Sequence, residues 1–110
     1  MPTLYGVFRS RASRPIWLLY ELGEAFDHGP VIQAYRLAQA SAPDAPLNTT
    51  SASFLTVNPQ GQVPAYVEGD LVLTESLSIT NHIARTRGGP LGAQTPAEQA
   101  LNEKWTMLAV

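Results

Sequence analysis

The sequence predicts an α/β domain in which a strand-helix-strand unit is followed by a strand-strand-helix unit. Two observations lead to this fold class: runs of strand-forming residues alternate with segments of helical periodicity, and two of these runs flank a glycine-containing turn. The length of 110 residues suffices for one hydrophobic core, and a content of 45% hydrophobic and 15% charged residues is ordinary for a globular protein.

The first part of the chain predicts a strand, a helix and a second strand. Residues 3–7 contain strand-forming side chains and are expected to be extended. Proline fits the first turn of a helix, so Pro15 is expected to open one, and Gly23 is expected to end it. Residues 26–32 are predicted to form a second strand, which Pro30 makes short or edge-like.

A long loop and a short helix are predicted next. Residues 33–50 are rich in Ala, Ser and Pro, which predicts a loop with a helical turn near residues 35–37. A loop of this length is unusual in a compact domain, so we expect it to be mobile or functional. Ser51 is expected to cap a short helix that runs through Val57 and stops before Pro59.

A β-hairpin and a third helix complete the predicted domain. Residues 63–67 and 71–73 are apolar runs on either side of a turn that contains glycine. Residues 75–85 then show helical periodicity, and the Gly-Gly-Pro sequence at 88–90 ends this helix and begins a linker.

The last segment predicts a helix of its own. Thr95 and Glu98 match a capping box, with Pro96 at the first helical position. The apolar residues that repeat at helical spacing behind this cap are Leu101, Trp105 and Leu108. We expect this stripe either to fold back on the domain or to take part in association.

Composition excludes several classes of function. The net charge of −2 and the lack of a Lys/Arg cluster argue against nucleic acid and against a membrane surface as partners. The absence of cysteine excludes a disulfide framework, a zinc-thiolate site and a CxxC redox centre. His28 and His82 are not at metal-ligand spacing, so we expect structural or surface histidines and no metal. Because no apolar run has the length of a membrane span or a signal-peptide core, we expect a cytoplasmic protein.

Two motifs carry a resemblance to a known family. They are Asn58-Pro59-Gln60-Gly61-Gln62-Val63-Pro64 and Leu73-Thr74-Glu75-Ser76. In this order around a hairpin they resemble the N-terminal domain of glutathione S-transferases of the serine type, and the likeness covers nearly the whole chain. Ser78 and His82 depart from the family pattern, which usually has Ala and Tyr there, and the loop at 33–50 is longer than usual.

The resemblance implies a thioredoxin-like βαβ-ββα domain with a mixed four-stranded sheet, followed by the first helix of an otherwise missing all-α domain. It divides the chain into a glutathione-binding domain at 1–87, a linker at 88–94 and that first helix at 95–110. It also implies a homodimer for the full-length protein.

The resemblance also implies a peptide-binding edge. In the family the Val63–Pro64 bond is cis and leaves the backbone N–H and C=O of Val63 free to pair with an extended peptide, which glutathione is. Gln62 is a candidate for a hydrogen bond to the ligand, and a solvent-facing role for it is an equal alternative.

The γ-glutamyl end of glutathione is expected at Glu75 and Ser76. A helix N-terminus and the Ser76 hydroxyl suit its carboxylate, and Glu75 suits its ammonium group. A structural alternative is that Thr74 or Ser76 simply caps the helix.

Ser10 is the first candidate for the catalytic group. It follows the first strand, where the serine-type classes place the hydroxyl that stabilises the glutathione thiolate. Tyr5 is the second candidate, and Ser13 is the third, with helix capping as its alternative role. Arg11 and Arg14 are candidates for adding positive potential near the sulfur.

The expected function is that of a glutathione S-transferase, with glutathione as co-substrate and a small electrophile as the second substrate. The alternative is a non-catalytic interaction module that keeps the fold and binds proteins. A glutaredoxin-like redox protein is set aside because the chain has no cysteine.

Overall fold

The computed structural model describes residues 1–110 as a four-stranded sheet with helices on both faces. Its elements in chain order are β1 (Thr3–Tyr5), α1 (Ser13–Leu22), β2 (Asp27–Gly29), α2 (Ala52–Val57), β3 (Ala65–Glu68), β4 (Leu71–Thr74), α3 (Ser76–Arg87) and α4 (Pro96–Ala109). The strand order is β2-β1-β3-β4, with β1 parallel to β2 and antiparallel to β3. The predicted α/β fold with a mixed sheet is therefore confirmed.

The core is divided between the two faces of the sheet by the alternation of side chains along the strands. Leu4 and Tyr66 are buried on the face covered by α1 and α3. Their neighbours Tyr5 and Ala65 belong to the opposite face, where Phe54 of α2 is buried. A fully buried side chain of this size contributes about 1.5–3 kcal/mol, so these two clusters fix the helices to the sheet.

The ends of β1, α1 and β2 are set by nearby glycine and proline residues and differ from the prediction by a few residues. Helix α1 begins two residues before Pro15 and ends at Gly23, whose φ of 65° is left-handed. Strand β1 ends at Tyr5, earlier than predicted, because Gly6 turns to a φ of 140°. Strand β2 is short, as Pro30 predicts.

The long loop between β2 and α2 is held by a buried amide. Asn48 is 1% exposed, and its Nδ2 donates to the carbonyl oxygens of Ala40 and Pro46 at 3.0 and 2.9 Å. Its Oδ1 accepts from the backbone N–H of Thr50 at 2.9 Å. The predicted helical turn is present at Ala34–Arg36, and the loop folds around Asn48.

The predicted side-chain cap of α2 is wrong. Ser51 occupies the N-cap position, but its hydroxyl accepts from the backbone N–H of Asn48 at 2.9 Å and makes no bond to the helix. The serine therefore closes the loop before α2 instead of capping the helix.

The apolar stripe of α4 is not buried against the domain, although Nδ2 of Asn81 on α3 donates a hydrogen bond to the hydroxyl of Thr106 on α4 at 3.0 Å. The hydroxyl of Thr95 accepts from the N–H of Glu98 at 3.1 Å, as the capping box predicts. Leu101, Trp105 and Leu108 are 53%, 61% and 67% exposed, and α4 has no buried residue. The radius of gyration of 15.0 Å exceeds the roughly 13 Å expected for a compact domain of this length. Association through this stripe stays a prediction.

No helix of the chain combines the length and the apolar character that crossing a membrane requires.

Candidate functional site

A cleft of about 420 Å³ lies at the end of the sheet where α1 and α3 begin. Most of its lining residues are polar, which suits a polar ligand. The first candidate for the catalytic group and the five residues expected to bind the ligand all line it: Ser10, Gln62, Val63, Pro64, Glu75 and Ser76. The fold therefore brings together side chains from three separate segments of the chain.

The segment before β3 offers a free strand edge to this cleft. The Val63–Pro64 bond is cis, and neither the N–H nor the C=O of Val63 has a hydrogen-bond partner in the chain. The segment is held by Asn58, 2% exposed, whose Nδ2 donates to the carbonyl of Gln62 at 2.8 Å. The Oδ1 of Asn58 accepts from the N–H of Gln60 at 3.1 Å. An extended peptide could pair with Val63 as an added strand.

Gln62 lies at the rim of the cleft. Its side chain is exposed and makes no hydrogen bond within the chain, so its amide is free to reach a ligand or the solvent.

Glu75 stands out by its backbone and by its unpaired charge. Its φ of 69° is the only positive φ outside glycine, a conformation that costs about 1–3 kcal/mol. Its carboxylate is exposed and has neither a hydrogen bond nor an ion pair in the chain. Glu75 itself occupies the N-cap position of α3, and no side chain caps that helix. The structural alternative of capping by Thr74 or Ser76 is therefore not observed.

Ser76 is the first residue of α3 and is only 6% exposed. Its Oγ accepts a hydrogen bond from Nη1 of Arg14 at 3.1 Å. The free N–H groups of the first turn of α3 and the positive end of its dipole make this corner of the cleft attractive to a carboxylate.

Ser10 lines the cleft from the loop between β1 and α1. Its hydroxyl donates to the carbonyl of Val7 at 2.7 Å and accepts from the N–H of Ala12 at 3.1 Å. Both Gln33 and Arg36 of the long loop donate to the carbonyl of Arg9, at 3.1 and 2.9 Å. These bonds hold the backbone of the segment that carries Ser10.

The other two candidates for the catalytic hydroxyl lie outside the cleft. The ring of Tyr5 packs 6.0 Å from that of Phe54 on the α2 side of the sheet. Ser13 is exposed in the first turn of α1, and its side chain caps nothing, because the N-cap position is Ala12.

Sequence reasoning missed several parts of this cleft. The long loop contributes Gln33, Tyr35 and Thr49 to its lining, and only the unusual loop length signalled this. Gly6 lies beneath Ser10, where an added Cβ would stand 2.6 Å from that of Ala12. A glycine directly after the first strand was the available signal for this close approach.

The opposite end of the sheet carries a cluster of paired charges. Arg87 donates to both Glu68 and Glu24, the latter at 3.2 Å, and Nε2 of His82 donates to Glu68 at 3.2 Å. The hydrogen bonds from Arg87 and His82 lower the pKa of Glu68, and the bond to Glu68 raises the pKa of Arg87. Burial raises the pKa of the Tyr66 hydroxyl beside this cluster.

The two histidines have structural partners and lie apart, as expected. Nε2 of His28 donates to the carbonyl of Gly6 at 2.5 Å, whereas His82 belongs to the charge cluster.

Comparison with known proteins identifies the family of this fold. The family "Glutathione S-transferase, N-terminal domain" matches residues 2–85. A glutathione S-transferase of Hyoscyamus muticus is 47% identical over 55 residues, which cover 47% of this chain and 26% of that protein. The glutathione S-transferase APIC of Nicotiana tabacum is 42% identical over a segment of the same length.

Solved structures show the same domain. The theta class glutathione S-transferase of Xanthomonas axonopodis pv. citri, with glutathione bound, has a TM-score of 0.73 at 28% identity and covers 94% of this chain. Glutathione transferase F7 of Populus trichocarpa has a TM-score of 0.63 at 34% identity and covers 81% of this chain. The matched part is 45% and 37% of those two chains, and 26% of the curated relatives. With a family match over most of its length, the chain belongs to the glutathione S-transferase N-terminal domain family.

Proposed function

We propose that this chain is the glutathione-binding part of a serine-type glutathione transferase. One observation carries the proposal: a single cleft contains the unpaired N–H and C=O of Val63, the unpaired carboxylate of Glu75 and the start of α3 at Ser76. These groups match, in turn, the extended backbone of glutathione, its ammonium group and its γ-glutamyl carboxylate.

In this proposal Ser10 is the residue that acts on the thiol of bound glutathione. With the γ-glutamyl end at Glu75 and the cysteine backbone along Val63, the sulfur is expected near the start of α1. The Ser10 hydroxyl would turn from Val7 to donate to the sulfur and thereby lower the thiol pKa from its ordinary value of about 8.5. The thiol proton passes to solvent, and the thiolate attacks an electrophilic carbon of the second substrate. The carbon–sulfur bond forms while the bond from that carbon to its leaving group breaks, and the leaving group departs with the electron pair.

The rest of the predicted organisation belongs to this proposal. Residues 1–87 form the glutathione-binding domain, 88–94 the linker and 95–110 the first helix of an all-α domain. That further domain would supply most of the electrophile pocket and contribute to a homodimer.

Titration of the bound thiol tests the role of Ser10. The ultraviolet absorbance of the thiolate is followed against pH for glutathione bound to the chain and to its Ser10→Ala and Ser13→Ala variants. A hydrogen bond to a charged group is worth about 1.5–3 kcal/mol, so Ser10→Ala should raise the bound thiol pKa by about 1–2 units. Ser13→Ala, the matched control, should leave it unchanged. Equal pKa values in both variants would contradict the assigned role of Ser10.

The bond from Ser10 to Val7 favours the second candidate function, a non-catalytic binding module. In this conformation the hydroxyl proton is already donated to the Val7 carbonyl. A chain that binds glutathione and leaves the thiol pKa at its solution value in the same titration would support this alternative.

A further inference from the structure

The hydroxyl of Ser76 is buried and accepts a hydrogen bond within the chain but donates none. Ser76 is 6% exposed, and its Oγ accepts from Arg14, yet no acceptor for its own proton is found in the chain. A buried hydroxyl normally both donates and accepts. The free proton therefore marks a position where something outside the chain completes the network.

The partner of Ser76 is also unusual. Arg14 makes no ion pair, and the hydrogen bond to Ser76 joins residues 62 positions apart. Its guanidinium lies next to the N-terminus of α3 without a carboxylate in ion-pair contact, so it adds to the positive potential of that helix end.

We propose that Arg14 is a positioning residue for the γ-glutamyl carboxylate of glutathione and acts through Ser76. This inference rests on the proposed function. Because the lone pair of Ser76 that faces Arg14 is occupied, the hydroxyl proton is directed away from the guanidinium and donates to the bound carboxylate. The arginine orients the donor and makes it more acidic without touching the ligand.

A purely structural role would be to join α1 to α3. These helices are already packed through Ile16, Leu19, Ile79 and Ile83, all of them buried. Loss of the exposed Arg14 side chain is therefore expected to change the thermal midpoint little.

Calorimetric titration of the chain tests the inference with two ligands: glutathione, and the analogue that lacks only the α-carboxylate of the γ-glutamyl residue. Arg14→Ala should weaken glutathione binding about tenfold and leave binding of the analogue unchanged. Ser76→Ala should do the same, and the double variant should bind glutathione no more weakly than Ser76→Ala alone. Arg85→Ala, the control, removes another exposed arginine, which lies on α3, and should have no effect.

The outcomes separate this inference from the proposed function. If the unchanged chain binds no glutathione, the proposed function is wrong. If it binds and Arg14→Ala binds equally well, only the role of Arg14 is wrong. Additive losses in the double variant, or equal losses for both ligands, would show that Arg14 does not act through Ser76 on the carboxylate.

Discussion

The two ends of the α1–α3 layer differ in whether their polar groups have partners within the chain. At the end where the helices begin, Val63 and Glu75 keep a backbone edge and a carboxylate without partners. At the end where they finish, Arg87 joins Glu68 and Glu24 in ion pairs. Charged and polar residues occur at both ends, so charge alone does not mark the site. The groups left without a partner are those that a ligand can complete.

The buried residues between the two ends make them separable. Leu4, Tyr66 and the apolar faces of α1 and α3 form one cluster that lies between the cleft and the paired charges. Substitutions at distant sites without shared partners act almost independently. A change at the cleft end should therefore affect ligand binding, whereas a change at the end with the ion pairs should affect only stability.

The largest expected effect is that of Asn58→Ala at the cleft end. The change leaves the carbonyl of Gln62 and the N–H of Gln60 without their buried partner. Unfolding by denaturant should show a loss of about 2–3 kcal/mol, and glutathione binding should weaken because the Val63 edge is no longer fixed. Gln60→Ala removes an exposed side chain next to this site and should cost less than about 0.5 kcal/mol. Similar losses in the two variants would contradict the role of Asn58.

Glu75→Gly, also at the cleft end, should change glutathione binding and stability in opposite directions. Glycine adopts a φ of 69° without strain, whereas its freedom in the unfolded chain costs about 0.5–1 kcal/mol. The net expectation is a gain of about 1 kcal/mol in the free energy of unfolding together with loss of glutathione binding. Glu75→Gln keeps the strained backbone and should lose binding without the gain. A less stable glycine variant would refute the strain at this position.

Glu68→Gln tests the paired end and its pH dependence. The pKa of Glu68 is lowered in the folded chain from an ordinary 4.5, so the folded state binds fewer protons than the unfolded state. The stabilisation by this carboxylate is therefore complete above that ordinary pKa and is lost as the pH falls through the lower folded value. Because the pairs are partly exposed, the variant should be less stable by about 1 kcal/mol near neutral pH.

Unfolding curves at neutral and acidic pH check this expectation. The difference between the unchanged chain and Glu68→Gln should shrink as Glu68 becomes protonated, and a difference that stays constant with pH would refute it.

The smallest effect is expected on the exposed face of α4. Trp105 is 61% exposed on α4, which has no buried residue, so Trp105→Gln should change the free energy of unfolding by less than about 0.5 kcal/mol. Sedimentation of the same variant also tests whether the apolar stripe of α4 associates. A loss above about 1 kcal/mol would mean that Trp105 is packed in solution.

Local signals were sufficient for most of the fold. The stop of α1 at Gly23, the short β2 before Pro30 and the cap of α4 at Thr95 each depend on residues close in sequence. The residues of the cleft were predicted from two motifs that lie close together in the chain, and the fold places them in one cavity with Ser10.

The remaining features depend on contacts between distant residues. The bond from Arg14 to Ser76 and the cluster around Arg87 join segments of the chain that no local pattern connects. The strained backbone of Glu75 also gives no signal, because glutamate does not favour a positive φ. The sequence predicted Ser51 as a helix cap, but its hydroxyl accepts a hydrogen bond from Asn48 in the preceding loop instead.

Glutathione binding by a matched pair of variants tests the central claim most directly. Glu75→Gln and Glu68→Gln each replace one carboxylate by an amide and change the net charge equally, but at opposite ends of the layer. Calorimetry should show at least about a tenfold loss of affinity for Glu75→Gln and no change for Glu68→Gln. Equal affinities in the two variants would contradict the assignment of the binding site to the unpaired end.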